Sequence, residues 1–163
     1  MRTVGRRIRR LLEVTVPVVM LDQVSKGLAR VSLTPGEVHG ILPFANLRLG
    51  FNRGISFGFL PAEEASGVLL LIGVTALISV GMAVWSVMAQ TWQESTALAL
   101  VLGGALGNLI DRVRDGMVTD FIDLHALGYH WPTFNGADIA ITLGAVWLVA
   151  DSLGIGSRRR EAA

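Results

Sequence analysis

The sequence predicts an all-α membrane protein, four transmembrane helices with a small extracytoplasmic β element, and three observations carry that expectation. The chain is apolar: of 163 residues, 52% are hydrophobic and 17% charged, with a mean hydropathy of +0.55, outside the range of an ordinary soluble domain. Four apolar segments stand out under a window of about 19 residues. Eight of the fourteen Lys and Arg lie in two end clusters, Arg2, Arg6, Arg7, Arg9 and Arg10 at the front and Arg158, Arg159 and Arg160 at the back. Clusters so placed suit membrane topology rather than nucleic-acid binding. The length fits one domain, 1–163, with no linker. The absence of cysteine excludes disulfides, thiolate metal sites and cysteine nucleophiles.

The first span, about 11–30, is the weakest, because "LLEVTVPVVML" is too short alone and must borrow "DQVSKGLAR" to cross. Its basic flank, short apolar run and "GLA" also fit a secretory signal peptide with a small-x-small cleavage site. The second span, about 65–89, "ASGVLLLIGVTALISVGMAVWSVMA", carries no charge. The third covers about 95–112 and contains "GGALG", Gly103 to Gly107, a small-residue spacing that lets helix backbones approach. The fourth covers about 137–154. Arginines at both ends put both termini in the cytoplasm, which an even number of spans satisfies. "QTWQES" is then the inner loop, and residues 31–64 and 113–136 lie outside. In the first outer loop Leu47, Leu49 and Phe51 alternate with Arg48 and Asn52, the period of a half-buried strand, and Gly50, Gly54 and Gly58 mark sharp turns or bulges.

With the spans so oriented, polar residues collect at one end. Asp22, Gln23 and Lys26 fall at the outer end of the first span, Asn108, Asp111 and Arg112 at that of the third, and Asp138 at that of the fourth. Asp22 and Lys26, four apart, share a helix face. Intramembrane carboxylates cost roughly 2.5 to 3.5 kcal/mol at a helix centre, so a cluster at one depth points to function. Glu13 and Asp151, at inner ends, reach water or the arginine tails. Asp120, in "GMVTDFIDL", precedes Asp138 by a loop that leaves and returns. Two neighbouring carboxylates share a proton, so the charged one can activate water while the protonated one polarises a carbonyl. Spacing alone leaves a second reading open, in which Asp120 caps a turn and Asp138 caps the fourth span.

The blocks "DQVSK" at 22–26, "FNRGISFG" at 51–58, "GGALGNLIDR" at 103–112, "VTDFIDL" at 118–124 and "FNGADIAI" at 134–141 together resemble the lipoprotein signal peptidases, or signal peptidase II, in the family's order and over nearly the whole chain. The resemblance implies that Asp120 and Asp138 are a catalytic dyad supported by Asp22, Lys26, Asn52, Gly54, Asn108, Arg112 and Asn135. It implies four helices with a small β element and a short surface helix outside, a first span that is retained, and no metal or organic cofactor. It implies a diacylglyceryl-prolipoprotein as substrate, cut on the amino side of the lipidated cysteine, by a monomer among the lipids of the bacterial inner membrane. A lipid next to the scissile bond would pin it near the outer leaflet boundary, at about 0.8 kcal/mol per buried methylene. The chain departs from the family at Ile55 and Ser56, where small residues are preferred, and at Thr119, where a second valine is usual. Both bear on the substrate groove rather than the chemistry.

Other functions make different demands on the same residues. A proton relay would string polar groups through the membrane depth. A serine-lysine peptidase would use Lys26 with Ser25 or Ser56. A metal site would draw on Asp120, Asp123, His125 and His130. A scaffold would cleave nothing.

Overall fold

The computed structural model describes residues 2–54 and 65–155. The described elements run α1 (Arg2–Ser32), β1 (His39–Leu42), β2 (Ala45–Asn52), α2 (Ala65–Met88), α3 (Trp92–Asp115), β3 (Val118–Ala126), β4 (Tyr129–His130) and α4 (Gly136–Ser152). Ile55, Ser56, Gly58 and the arginines at 158–160 lie outside the described residues.

Helix α1 begins nine residues before the expected span. Its arginine-rich start reads as polar, yet forms helix with an Arg9–Glu13 ion pair at i, i+4 (3.2 Å) and with Arg7 Nη1 donating to the Val87 carbonyl (3.1 Å) in the last turn of α2. The connection between α2 and α3 is shorter than "QTWQES". Thr91 caps α3 by accepting from the Glu94 amide (3.1 Å), and Glu94 reaches back past the cap to the Gln90 amide (2.9 Å), bonds that pull Trp92, Gln93, Glu94 and Ser95 into the helix. At the other end α3 runs on to Asp115 and stops at Gly116, whose φ of 71° suits glycine at a helix C-terminus.

Helix α3 is the centre of the fold, packing on α1, α2 and α4. In its most apolar stretch 61% of residues are buried, against 11% in α2, so α3 is core and α2 is surface. Small residues make the close contacts. A Cβ on Gly104 would run into the Ala137 carbonyl of α4, and one on Gly107 would lie 2.5 Å from Asp22 Oδ2 of α1.

Among the described residues two helices, Ser66–Met88 and Trp92–Asp115, are long and apolar enough to cross a membrane. Helix α4 has 17 residues, fewer than the roughly 20 that span a bilayer upright, and charged residues break the apolar stretch of α1.

The loops expected outside build more β structure than the sequence suggested. The strands form one antiparallel sheet in the order β1-β2-β3-β4. Asp120, expected in a loop or re-entrant edge, stands in a nine-residue strand opposite Gly50, past a register shift between Leu47 and Gly50. The β3–β4 hairpin turns on Leu127 (φ 52°) and Gly128 (φ 80°), and the chain then returns along β3. There Trp131 donates to the Leu124 carbonyl (2.8 Å), and Phe134 bridges Ile122 in both directions (3.0 and 2.9 Å). Among the described residues there is no short surface helix.

Candidate active site

The return of the chain along β3 is what brings the two aspartates together. Phe134 is tied to β3 two residues beyond Asp120, so the next residue, Asn135, enters the site and begins α4. Asn135 is the N-cap: its Oδ1 accepts from the Asp138 amide (3.1 Å), while Asp138 Oδ2 accepts from the Asn135 amide (3.2 Å). Its Nδ2 donates to Asp120 Oδ1 (2.6 Å). One fully buried asparagine thus holds Asp138 by its backbone and Asp120 by its side chain. Asp138 does cap its helix, as the second sequence reading allowed, and stands in the same cluster as Asp120.

A second asparagine joins the pair from α3. Asn108 Nδ2 donates to Asp138 Oδ1 (2.9 Å), and its Oδ1 accepts from Lys26 Nζ (2.8 Å) and, more weakly, from Asn135 Nδ2 (3.3 Å). Asn52, at the end of β2, also hydrogen-bonds Asp120, and its Oδ1 takes the Gly54 amide (3.0 Å). The Gly54 carbonyl accepts from Arg112 Nη2 (3.1 Å), and Arg112 Nε is buried without a partner among the described residues.

Beneath these groups lies an ion network that fixes the backbone at both aspartates. Asp22 Oδ1 accepts the amide of Ala137, the residue before Asp138 (2.9 Å), and Asp111 Oδ2 accepts the amide of Thr119, the residue before Asp120 (3.1 Å). Lys26 Nζ joins the two clamps, 2.8 Å from Asp22 Oδ2 and 3.2 Å from Asp111 Oδ2, with all three side chains essentially without solvent. Its three ammonium protons match three acceptors. It is therefore an ion-pair centre and no base for Ser25, whose hydroxyl donates to the Asp22 carbonyl (2.9 Å).

Burial pushes the Asp120 carboxyl up to about 6. The hydrogen bond from Asn135 opposes this, the charge of Asp138 adds to it, and Asn52 and Lys26 pull downward. A buried carboxyl raised toward neutrality beside a second carboxylate meets the requirement for paired acid and base. At Asp123 burial also pushes upward, but hydrogen bonds from Asn46 (3.0 Å) and His130 (2.9 Å) outweigh it and hold that carboxyl low. His130 stacks on His125 (5.1 Å between rings), and Asp123 is engaged in tying β4 to the sheet. Among the described residues no group of three or more His, Asp or Glu is placed to hold a metal ion.

The sequence profile described as signal peptidase (SPase) II matches residues 14–154. The chain belongs to the signal peptidase II family. Curated relatives include a lipoprotein signal peptidase of Coxiella burnetii (strain RSA 331 / Henzerling II), 40% identical over 143 residues, with 85% of this chain and 86% of that one covered. Another, from Burkholderia mallei (strain SAVP1), is 41% identical over 148 residues, covering 87% and 86%. A solved structure described as a bacterial membrane enzyme at 2.3 Å resolution superposes with a TM-score of 0.82 at 29% identity, covering 94% of this chain and 93% of that one. A second membrane enzyme structure, at 1.9 Å, gives 0.77 at 30% identity, covering 88% and 92%.

In this signal peptidase II chain the nine residues singled out from sequence, Asp120, Asp138, Asp22, Lys26, Asn52, Gly54, Asn108, Arg112 and Asn135, form one hydrogen-bonded cluster with its ion network. Three further residues belong to it, of which Asp111 and Gln23 are legible from sequence only as part of the outer-end polar cluster, with no individual role. Gln23 donates from Nε2 to Asp22 Oδ2, the Gly107 carbonyl and Asp111 Oδ1, at 3.1 to 3.2 Å. Thr119, noted as a departure from the family, accepts from Arg30 Nε through its hydroxyl (2.7 Å), a bond that valine could not make. The available signal was helical spacing, since Asp22, Lys26 and Arg30 recur every four residues on one face of α1.

Proposed function

We propose that the protein is an intramembrane aspartic endopeptidase that removes the signal peptide from diacylglyceryl-modified prolipoproteins, cutting on the amino side of the lipidated cysteine. The observation that carries this reading is the convergence of Asp120 and Asp138, from separate elements, on Asn135, whose side-chain amide donates to the first and whose backbone amide donates to the second. In the proposed reaction the ionised carboxylate removes a proton from water as its oxygen bonds to the scissile carbonyl carbon, and the protonated carboxyl gives its proton to the carbonyl oxygen. The resulting gem-diol collapses: the C–N bond breaks, the nitrogen leaves with a proton from the carboxyl that the water protonated, and a gem-diol hydroxyl returns its proton to the other carboxylate. Water is consumed and both carboxyls end as they began. Asn108 and Asn135 orient the pair, and Asn52, Gly54 and Arg112 line the approach for the substrate backbone. Asp22 and Lys26 hold the floor. No metal or organic cofactor enters the scheme.

The proposed setting is the bacterial cytoplasmic membrane. There α1 to α4 cross as four spans of a single domain, both termini face the cytoplasm, and the site lies near the outer leaflet. The exposed apolar surface of α2 and the relatedness to membrane enzymes support this arrangement. The protein acts as a monomer. Its test is a cleavage assay on one prolipoprotein with and without the diacylglyceryl group. Cleavage confined to the lipidated form is the expected result, and equal rates on both would overturn the substrate assignment.

A further inference from the structure

Thr119 stands directly before Asp120 on β3, and successive residues of a strand project to opposite faces. Asp120 turns to Asn135, whereas Thr119 turns to the ends of α1 and α3. The segment returning along β3 bonds it at Phe121 and Ile122, so the Thr119 amide meets a helix side chain in place of a strand, Asp111 Oδ2 at 3.1 Å. The Thr119 hydroxyl accepts from Arg30 Nε (2.7 Å), and the residue is fully buried. Arg30 is itself held, with Nη1 donating to Asp115 Oδ2 (2.6 Å) and Nη2 3.9 Å from Asp111 Oδ2. One guanidinium thus ties the last turn of α1 to the end of α3 and to β3. Arg30, Phe51 and Asp115 also line a cavity of about 660 Å³ whose described lining includes neither Asp120 nor Asp138.

We infer that Arg30 and Thr119 are a positioning pair for the proposed reaction, acting through Asp120 rather than on substrate, an inference that rests on the function proposed above. The reason is leverage. The peptide unit joining Thr119 to Asp120 is planar, so a shift at the first residue carries to the Cα of the second. The Asp111 bond holds only the Thr119 amide, about which the strand can still turn. The Arg30 bond grips the side chain as well, and two points of attachment stop that turn. Asp120 then keeps its 2.6 Å bond from Asn135 Nδ2. Each partner makes a distinct chemical demand. Serine would keep the accepting oxygen, whereas valine keeps the shape of threonine and loses it. Lysine would keep the charge at position 30 but lacks the planar fork that serves Thr119 and Asp115 together.

The test is steady-state cleavage of one diacylglyceryl-prolipoprotein by the parent, Thr119→Val, Thr119→Ser, Arg30→Lys and the double variant Thr119→Val/Arg30→Lys, with rates taken per folded protein. Thr119→Val is expected to lower kcat about tenfold and to leave KM within about twofold, since a displaced Asp120 slows chemistry without altering the approach of substrate. Thr119→Ser is expected to restore kcat to within about twofold of the parent. Arg30→Lys should match Thr119→Val, and the double variant should fall no lower than either alone, because the two residues act as one unit. Parental kcat in folded Thr119→Val or Arg30→Lys would overturn the inference. So would losses that multiply in the double variant, a loss in Thr119→Ser equal to that in Thr119→Val, or a rise in KM at unchanged kcat. Should Thr119→Val fail to fold, Arg30→Lys decides alone, by the same fall in kcat at constant KM or its absence. These outcomes leave the peptidase assignment intact, whereas a parent that cleaves nothing would remove the proposed function and this role with it.

Discussion

At Asp120 two requirements conflict, and the conflict is measurable. Burial raises its carboxyl to about 6, so the folded protein holds a proton there that the unfolded chain releases near 3.8. A raised carboxyl favours folding fully below the unfolded value, and that contribution is lost as pH rises through the folded value. Keeping the group ionised at pH 8 therefore costs stability, on the order of 3 kcal/mol. Asp120→Asn removes the charge and keeps an oxygen to accept from Asn135. Its melting temperature should exceed the parent's at pH 8, with the gap closing between about pH 6 and pH 4. A gap independent of pH in a melting series would show that Asp120 titrates normally. At Asp123 hydrogen bonds prevail over burial instead, so two aspartates three apart on one strand have opposite fates. Their residue type alone could not have separated them; the donors around each do.

At the scale of elements, the site exists because α3 and α4 touch. Gly104 faces the Ala137 carbonyl at the start of α4, one residue before Asp138, so a Cβ at Gly104 must push that helix away. Gly104→Ala is expected to cost about 1–3 kcal/mol and to lower turnover more than substrate binding, since it moves Asp138 rather than the approach to it. Unchanged kcat would mean that the helix contact does not set the position of Asp138 that the proposed mechanism needs. The glycine spacing of α3 was legible as a packing face, and the polar ends of three helices as one cluster. The sheet was legible only in part. The alternation from Leu47 to Asn52 announced β2, but β1 and β4 have four and two residues and exist through their pairing. In β3, Asp120 and Asp123 are both buried within one run, a burial order that departs from strict alternation. The start of α1 was missed because arginines satisfied by Glu13 and the end of α2 do not look like helix under a hydropathy window.

Across the whole molecule, charge is buried where the fold can saturate it and apolar surface is exposed where lipid can cover it. Lys26, Asp22 and Asp111 are fully enclosed, an arrangement tolerable only because each charge has partners, while Leu69, Leu77 and Val80 of α2 stand more than 60% exposed. The ion network anchors α1, α3, β3 and the start of α4 to one lysine, so the placement of Asp120 and Asp138 belongs to the entire fold. That dependence was invisible in any one motif, because Asp22 and Ala137 are 115 residues apart, and Asp111 reaches Thr119 across a helix stop. The most direct test of the central claim is single-turnover cleavage of a lipidated prolipoprotein by the parent, Asp120→Asn and Asp138→Asn, each checked for intact folding. Each substitution alone is expected to lower the rate at least about a hundredfold in a folded protein; near-parental cleavage by either folded variant would remove that aspartate from the chemistry.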